Sequence, residues 1–290
     1  MVENHHQRLH SGFQILNYKL NLNHLFHKSI HYSLMAGGKR LRPILALAAA
    51  EAVGGDEETV MPFSCAIEMV HTYSLIHDDL PAMDNDDLRR GKPTCHKVFG
   101  EGIAILAGDA LLTHAFIIIS NPEYAKNIDP AIRIMIIQEL AKASGTEGMI
   151  GGQVLDLEAQ NKSLGLDELS TIHKLKTGSL IKASTQIGAL AGGAEEKEVE
   201  SLSAYGQHLG LAFQIMDDLL DIEGSEEIIG KTSKSDLVNH KSTYPALMGI
   251  EESKKKARES IDQALASIDH FDYHANALRQ LAQYTITREK

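Results

Sequence analysis

The sequence HDDLPAMDNDDLRRG, residues 77–91, decides how this chain is organised. It places five aspartates and two arginines directly after residues 65–76, an apolar segment that we interpret as a buried helix. A charge run is commonly a solvated surface, but carboxylates at the end of a core helix are unfavourable unless a cation meets them. Carboxylate oxygens suit Mg²⁺, and arginine pairs with phosphate in a planar, two-pronged geometry. The stretch therefore predicts a metal-bridged diphosphate site.

A second acidic cluster lies far along the chain. Asp217 and Asp221 are four residues apart, and Asp218 is one step round, so we expect the three carboxylates to project from nearly the same helix face. They stand among apolar neighbours in residues 213–220. Like charges one helical turn apart repel each other, so a shared cation is needed to hold them there. Two such clusters on separate helices predict the two sides of one metal site.

These clusters resemble the two aspartate-rich motifs of the trans-isoprenyl diphosphate synthases. The resemblance extends from GGKRLRP at residues 37–43, through KTG at 176–178, to KSTYP at 241–245. The insertion Pro81-Ala82 in the first motif resembles the bacterial farnesyl diphosphate synthases in particular. The resemblance implies an all-α fold, with residues 1–290 forming a single-domain helical bundle around a deep central cavity, and it implies a homodimer.

The resemblance also implies a reaction. Isopentenyl diphosphate would be condensed with dimethylallyl or geranyl diphosphate to give farnesyl diphosphate, with two or three Mg²⁺ ions bound. The implied metal ligands are the aspartates of both motifs: Asp78, Asp79, Asp84, Asp217, Asp218 and Asp221. The implied ligands of the departing diphosphate are Arg89, Lys176 and Lys231. Thr177 and Gln214 would present oxygen dipoles to the reacting carbon.

A basic cluster predicts a second phosphate pocket. Lys39, Arg40 and Arg42 stand beside a glycine turn, just before an apolar helix that we expect at residues 44–53, and cations at a helix start favour phosphate binding. The alternative is a solvated basic turn. By resemblance, the ligands of isopentenyl diphosphate are Gly38, Lys39, Arg42, His71 and Arg90.

Positions before the first motif carry two further hypotheses. His71 lies two turns before Asp78 and shares its helix face, but Glu68 and His71 also form Glu-x-x-His, the pattern of a di-iron bundle. That bundle needs a second pair, and the other match, Glu3 and His6, lies in a polar extension. Tyr73 and Ser74 are the predicted determinants of product length, by resemblance to the bacterial farnesyl enzymes. The alternative is that Tyr73 is core packing.

Composition excludes several classes of protein. The formal net charge of −11 disfavours nucleic acid and anionic membranes as partners. Cys65 and Cys95 have no CxxC spacing, which indicates neither a disulfide framework nor a structural zinc site, and a cytoplasmic location fits. The longest apolar runs are interrupted by polar residues, so we expect no membrane span.

Only seven prolines and many Ala/Leu/Ile runs without valine-rich alternation predict helices throughout. We expect one or two at residues 14–35 and others at 61–79, 103–119, 132–160, 169–190 and 251–286. Gly37-Gly38 is expected to end the first segment, and a loop is expected at 223–244. Thr177 and Gly178 should loosen the helix at 176–178.

Two local features bear on the metal site. Pro81 should end the regular turn and let Asp84 swing back towards Asp78. Asp156 lies in a segment that resembles one lining the cavity in this family. Two interpretations stay open: Asp156 contacts the metals through water, or it does not contact them.

Three other functions compete with this interpretation. A geranylgeranyl diphosphate synthase would share every motif and differ in product length. A terpene cyclase would share the first acidic motif but has no use for a second diphosphate pocket. A non-catalytic helical binding subunit should have lost some metal ligands, yet every expected one is present.

Overall fold

The computed structural model describes residues 24–160, 162–223 and 242–288, and most of them lie in helices. The α-helices, numbered along the chain, are α1 His24–Leu34, α2 Leu41–Ala52, α3 Glu57–Asp78, α4 Cys95–Phe99, α5 Glu101–Ser120, α6 Pro130–Ser144, α7 Met149–Glu158, α8 Leu166–His173, α9 Ser179–Gly192, α10 Glu196–Glu223, α11 Tyr244–Met248, α12 Ile250–Ser267 and α13 Asn276–Thr287. A π-helical segment, Lys174–Gly178, joins α8 to α9. Short 3₁₀ turns lie at Pro122–Tyr124 and Tyr273–Ala275.

The centre of the fold consists of α2, α3 and α9. Helix α2 is an alanine- and leucine-rich segment that is almost completely buried, because α3 covers one side of it and α9 another. Helix α3 also packs against α5, and α9 packs against α6 and α10. The small alanine side chains let the helix axes approach closely. The functional sequence motifs lie on α3, α10 and the π-helical segment, around this core.

Helix α3 begins and ends where its sequence dictates. The Asp56 carboxylate accepts a hydrogen bond from the backbone N–H of Thr59 at 3.0 Å, which satisfies one of the free donors at the helix start. Two glutamates in the first turn complement the helix dipole. The helix ends at Asp78, three residues before Pro81. It therefore delivers the first acidic motif to the edge of the core.

A minimal β-hairpin follows α3 and was not foreseen from the sequence. Strands β1 (Leu88–Arg89) and β2 (Lys92–Pro93) pair antiparallel, with Arg89 opposite Lys92. The two residues between the strands, Arg90 and Gly91, both have positive φ, 55° and 74°, as the tightest hairpin turn requires. The Tyr32 hydroxyl donates to the Pro93 carbonyl at 2.7 Å. The hairpin therefore points Arg89 and Arg90 in fixed directions.

The all-α prediction is confirmed, and several boundaries differ from expectation. Helix α2 begins at Leu41 rather than beside Pro43. Helix α1 ends at Leu34, before the two glycines. The segment predicted at 132–160 is divided, because the chain turns between α6 and α7 at a glycine-containing stretch, residues 145–148. The interruption predicted at 176–178 is confirmed as the π-helical segment. Residues 14–23 and 224–241 lie outside the described ranges.

One helix in the described part of the chain, Glu101–Ser120, is long and apolar enough to cross a membrane. A single helix of this kind is weak evidence, since a buried core helix passes the same test. In this fold 39% of its most apolar window is buried inside the protein. The expected absence of a membrane span stays a prediction.

Candidate active site

The turn after α3 brings two aspartates of the first motif together. Beyond the helix end, the backbone N–H of Asp84 donates to the Asp78 carbonyl at 2.9 Å, and that of Asn85 donates to the Leu80 carbonyl at 3.1 Å. The chain thus turns back at Pro81, as predicted. Burial raises the pKa of Asp78 to about 6; Lys176 opposes this rise and Asp84 adds to it. A buried carboxylate beside a like charge favours the approach of a cation.

Asp79 faces away from this turn and towards the hairpin. Its side chain is 5% exposed and accepts hydrogen bonds from Nε and Nη2 of Arg89, the former at 2.7 Å. Arg89 also reaches Asp86 at 3.2 Å. Burial acts to lower the pKa of Arg89, but the hydrogen bonds that it donates to Asp79, together with the negative charge of nearby aspartates, outweigh burial and raise the pKa. Asp79 and Arg89 thus form an ion pair with each other. The metal contact expected of Asp79 and the diphosphate contact expected of Arg89 stay predictions.

The π-helical segment presents Lys176 beside the first motif. Lys176 Nζ lies 2.7 Å from Oδ2 of Asp156 on α7. The two elements approach closely because Gly152 has no side chain: a Cβ there would lie 2.2 Å from the backbone nitrogen of Lys176. Asp156 is therefore an ion-pair partner of Lys176. Whether it also reaches a metal through water stays a prediction.

A chain of hydrogen bonds links this segment to the second motif. Thr177 Oγ1 donates to Gln214 Oε1 at 2.9 Å, and Gln214 Nε2 donates to Asp218 Oδ1 at 3.0 Å. The other carboxylate oxygen of Asp218 accepts from the backbone N–H of Tyr244 at 3.0 Å. Thr177 and Gln214 are thus brought together as expected. Asp218 is thus buried and turned to Gln214 and Tyr244, and the face that it is expected to share with Asp217 and Asp221 stays a prediction.

Asp217 has a partner that the sequence did not reveal. Arg288, just beyond α13, places Nη2 2.6 Å from Asp217 Oδ1. The same nitrogen donates to the Phe213 carbonyl at 3.1 Å, and the guanidinium lies 4.2 Å from the centre of the Phe213 ring. The residue that follows α13 therefore lies against the second acidic motif, and its guanidinium supplies a cation to Asp217.

A pocket of cations lies beside the acidic groups. Arg42 Nη1 lies 3.2 Å from His71 Nε2. Burial, followed by the charges of Arg42 and Arg90, lowers the pKa of His71 well below its ordinary value, so the neutral ring accepts this hydrogen bond at Nε2. Burial lowers the pKa of Arg42 to about 10, with Glu68 opposing it. Arg42 therefore stays charged at neutral pH.

The glycine turn closes this pocket on one side. The Arg90 guanidinium donates to the Gly37 carbonyl. A Cβ on Gly38 would lie 2.2 Å from Cζ of Arg90, and the φ of Gly38 is 106°, so a side chain there would meet both strain and collision. Burial lowers the pKa of Lys39. The charge of Asp217 acts to raise this pKa, and the charge of Arg90 acts to lower it. The residues predicted to bind the second diphosphate are thus neighbours, and their contact with a diphosphate stays a prediction.

Tyr73 and Ser74 lie on α3, one turn before the first motif. The Tyr73 side chain is buried, and its hydroxyl finds no hydrogen-bond partner among the described residues. The ring meets that of His77 edge-on, with centroids 5.8 Å apart. Ser74 Oγ donates to the His71 carbonyl at 2.9 Å. Tyr73 therefore places a large buried ring behind the first motif, whereas the Ser74 hydroxyl is bonded to its own helix. Their effect on product length stays a prediction.

The carboxylates of the described residues do not gather with histidines or cysteines into any group of three that could hold a metal. This arrangement fits a Mg²⁺ ion that takes one or two carboxylates and completes its shell with phosphate oxygens and water. Asp78 and Asp84 offer such a pair. Lys231, predicted to contact the leaving diphosphate, lies outside the described residues.

Two residues of this region were missed as parts of the site. Arg288 lies in a segment to which the sequence analysis assigned no chemistry, and no motif marks it. Glu68 was considered only as an iron ligand. The structure pairs the Glu68 carboxylate with the Arg40 guanidinium instead. A carboxylate that is paired with an arginine gives no support to the di-iron interpretation.

Comparison with known proteins agrees with this geometry. The family model described as polyprenyl synthetase matches residues 23–281. A farnesyl diphosphate synthase of Geobacillus stearothermophilus is 51% identical over 90% of this chain and 88% of its own length. The large subunit 1 of a heterodimeric chloroplastic geranylgeranyl pyrophosphate synthase of Arabidopsis thaliana is 49% identical over 91% of this chain and 72% of its own length.

A solved structure has the same fold. A geranyltransferase of Legionella pneumophila superposes with a TM-score of 0.88 at 36% sequence identity, covering 99% of this chain and 96% of that one. The likeness therefore extends over the whole bundle and is not confined to the motifs.

Proposed function

Because this chain belongs to the polyprenyl synthetase family, we propose that it is a prenyltransferase that condenses isopentenyl diphosphate with dimethylallyl and geranyl diphosphate to make farnesyl diphosphate. The observation that carries the proposal is the adjacency of two clusters of opposite charge. One is acidic, around Asp78 and Asp84. The other is basic, around Arg42, His71 and Arg90. An enzyme that joins two diphosphate substrates must bind each of them at its own site, and a difference in charge between the two sites allows this.

The acidic site suits a diphosphate that arrives with Mg²⁺. Asp78, Asp84 and Asp217 are the proposed ligands. Asp217 is paired with Arg288, but its side chain is 41% exposed, whereas Asp79 and Asp218 are buried against their partners and are less direct candidates than Asp221. When bound, Mg²⁺ would neutralise the charge that develops on the leaving diphosphate. Lys176, beside Asp78, would hold the same group from the other side. Arg89 and Lys231 would add to this charge.

The chemistry proposed for the two substrates needs no protein nucleophile. The bond between the allylic carbon and its diphosphate oxygen breaks, and the electron pair leaves with the diphosphate. The carbon becomes cationic while Thr177 and Gln214 turn oxygen dipoles towards it. The double bond of isopentenyl diphosphate then forms the new carbon–carbon bond, with proximity lowering the barrier, and the released diphosphate takes the proton that is lost.

A direct assay tests the proposed function. With dimethylallyl and isopentenyl diphosphates and Mg²⁺, we expect a fifteen-carbon diphosphate, and excess chelator should abolish turnover until Mg²⁺ is restored. Chromatography of the dephosphorylated products identifies the chain. Consumption of an allylic diphosphate alone would indicate a cyclase. Binding without turnover would indicate a non-catalytic subunit, and undiminished activity in chelator would contradict the metal assignment.

The basic pocket gives a prediction of its own. Arg42→Ala should raise KM for isopentenyl diphosphate by about tenfold or more, because it removes a buried charged donor. KM for geranyl diphosphate should change much less, since that substrate binds at the acidic site. Steady-state kinetics with each substrate varied in turn measures both constants. Equal increases in the two constants would contradict the separation of the sites.

A homodimer is the proposed assembly. Large apolar side chains are exposed on two helices, Ile105, Leu106 and Ile117 on α5 and Ile134 and Met135 on α6. Patches of this kind on a soluble surface commonly mark an interface, and a second copy of the chain would cover them. Each copy is proposed to be one domain, because α2, α3 and α9 share a single continuous core.

A cytoplasmic location is also proposed. Cys65 and Cys95 are both buried, and both are free thiols. Burial raises the pKa of each thiol, which keeps it unreactive. A chain with free thiols and no disulfide between these cysteines suits a reducing compartment.

A further inference from the structure

A buried ion pair lies directly behind the basic pocket. Arg40, at the start of α2, donates to Oε1 of Glu68 on α3 and to the carbonyl of Leu34 at the end of α1. The side chains of Arg40 and Glu68 are 8% and 1% exposed. Arg40 is therefore turned into the protein, and it is unsuited to binding a phosphate although Lys39 and Arg42 flank it in the sequence.

The backbone at Arg40 shows that this orientation is specific. Arg40 has a φ of 51°, in the left-handed region that non-glycine residues rarely adopt. This conformation turns the Arg40 side chain to the interior, while Arg42 contacts His71 and Lys39 lies over the Phe213 ring. Because left-handed backbone is unfavourable for a side chain with a Cβ, something must hold it. The contacts to Glu68 and Leu34 do so.

The ion pair also anchors the glycine turn. The carbonyl of Leu34 lies at one end of the turn and Arg40 lies at the other, so a single guanidinium clamps both ends to α3. Between these ends, the Gly37 carbonyl accepts a hydrogen bond from the Arg90 guanidinium, and Gly38 packs against the guanidinium of Arg90 as well. A movement of the turn would therefore displace Arg90.

Glu68 supplies the negative charge that balances the buried cations. Burial lowers the pKa of Arg42 and of Arg90, and in both cases Glu68 is the strongest opposing influence. Its second oxygen, Oε2, is buried and accepts no hydrogen bond from the described residues. Guanidinium groups crowded in a low-dielectric interior repel each other unless a carboxylate lies near. Glu68 is that carboxylate.

We propose that Arg40 and Glu68 are a positioning pair for the second diphosphate: they hold the turn at residues 35–40 and the Arg42 and Arg90 guanidiniums in the binding geometry before any substrate arrives. The identity of that substrate, isopentenyl diphosphate, rests on the proposed function. Neither residue touches the substrate. Preorganisation of this kind raises affinity because the cations need not be gathered when the ligand binds.

The substitution Glu68→Gln separates positioning from simple charge. If Glu68 acted only through its charge, removing a negative group from behind an anion pocket would tighten the binding of isopentenyl diphosphate. If Glu68 positions the pocket, binding should weaken, by about tenfold for a displacement of the contacting groups well below 1 Å. Isothermal titration with isopentenyl diphosphate in the absence of Mg²⁺ measures the dissociation constant. Tighter or unchanged binding would overturn the proposal.

Arg40→Lys provides a second, independent variant. Lysine keeps the positive charge and the aliphatic stem, but it lacks the fork that reaches Glu68 and Leu34 together. We expect the same weakening of isopentenyl diphosphate binding, with KM for geranyl diphosphate within about twofold of the native value, since that substrate binds at a different set of contacts. Equal rises in both constants would indicate general damage and would contradict a positioning role.

A matched control is available in Arg133. This arginine is also buried, and it donates to backbone carbonyls, including that of Ile119 at 2.9 Å, away from the site. Arg133→Met should lower the melting temperature without changing the ratio of the two substrate constants. If Arg133→Met changes that ratio as much as Glu68→Gln does, the effect is one of stability and the proposal fails.

The native protein distinguishes this proposal from the proposed function. If it neither binds isopentenyl diphosphate nor turns it over, the proposed function fails and the pocket has another ligand. If the native protein binds and turns over isopentenyl diphosphate, and both variants bind it with native affinity, only the positioning proposal fails.

Discussion

Replacing Asp78 or Asp217 with alanine is expected to lower the turnover number by about 10²-fold or more, with the fold retained. Asp78 ends α3 beside Asp84, where burial raises its pKa to about 6, and Asp217 belongs to the second acidic motif. Each would lose an oxygen ligand for the cation that neutralises the leaving diphosphate. Steady-state assays at saturating substrate, with circular dichroism to verify folding, measure the effect.

Asp87 offers a matched control in the same acidic stretch. Its side chain is 74% exposed and pairs with Lys97 at 2.7 Å on the surface. Surface pairs contribute little to stability, so Asp87→Ala should leave turnover within about twofold of the native value. A well-folded Asp78→Ala or Asp217→Ala protein with near-native turnover would show that the aspartate replaced is not a metal ligand.

Replacing Tyr73 with alanine is expected to change the product from fifteen carbons to twenty or more. Tyr73 lies five residues before Asp78, about 7.5 Å down the helix axis, and its buried ring stands where a chain anchored at the aspartates would grow. Removing the ring opens space for another isoprene unit. Sequence identity does not decide the matter, because synthases named for twenty-carbon products are nearly as similar to this chain as those named for fifteen.

Two other substitutions make this experiment specific. Tyr73→Phe removes only a hydroxyl that has no partner among the described residues, so the floor and the fifteen-carbon product should be retained. Ser74→Phe should raise the floor and favour a ten-carbon product. Chromatography of the dephosphorylated products reports all three. A folded, active Tyr73→Ala enzyme that still stops at fifteen carbons would place the floor elsewhere.

The helical fold and the positions of the acidic motifs follow from the sequence because they depend on local patterns. Long runs of alanine, leucine and isoleucine without valine-rich alternation mark helices such as α3, α5 and α10 whatever they pack against. The return of Asp84 towards Asp78 follows from Pro81, since a proline so close to the helix end cannot continue the regular turn. Glycine and threonine after Lys176 predict a weakened helix, and the π-helical segment is that weakening.

The partners of the charged residues were not available from the sequence. Asp79 and Asp78 are neighbours in a motif, yet Asp79 turns to Arg89, whereas Asp78 lies near Lys176 and Asp84. Asp218 likewise turns to Gln214 and Tyr244. Neighbouring residues on a helix point about 100° apart, so a motif identifies the carboxylates but not the direction of each one. That direction depends on which cation or N–H the surrounding elements supply.

The sequence by itself determined that the chain is helical, that two acidic segments and one basic segment carry its chemistry, and that Tyr73 stands one turn behind the first motif. Only the tertiary structure decided that the Arg40 side chain is turned into the protein while Arg42 belongs to the basic cluster. It also decided that a hairpin directs Arg89 and Arg90 and that Arg288 reaches Asp217. The physical reason is range. Helical periodicity and proline geometry act within a few residues, whereas the burial and pairing of a charge depend on groups that folding brings from distant parts of the chain.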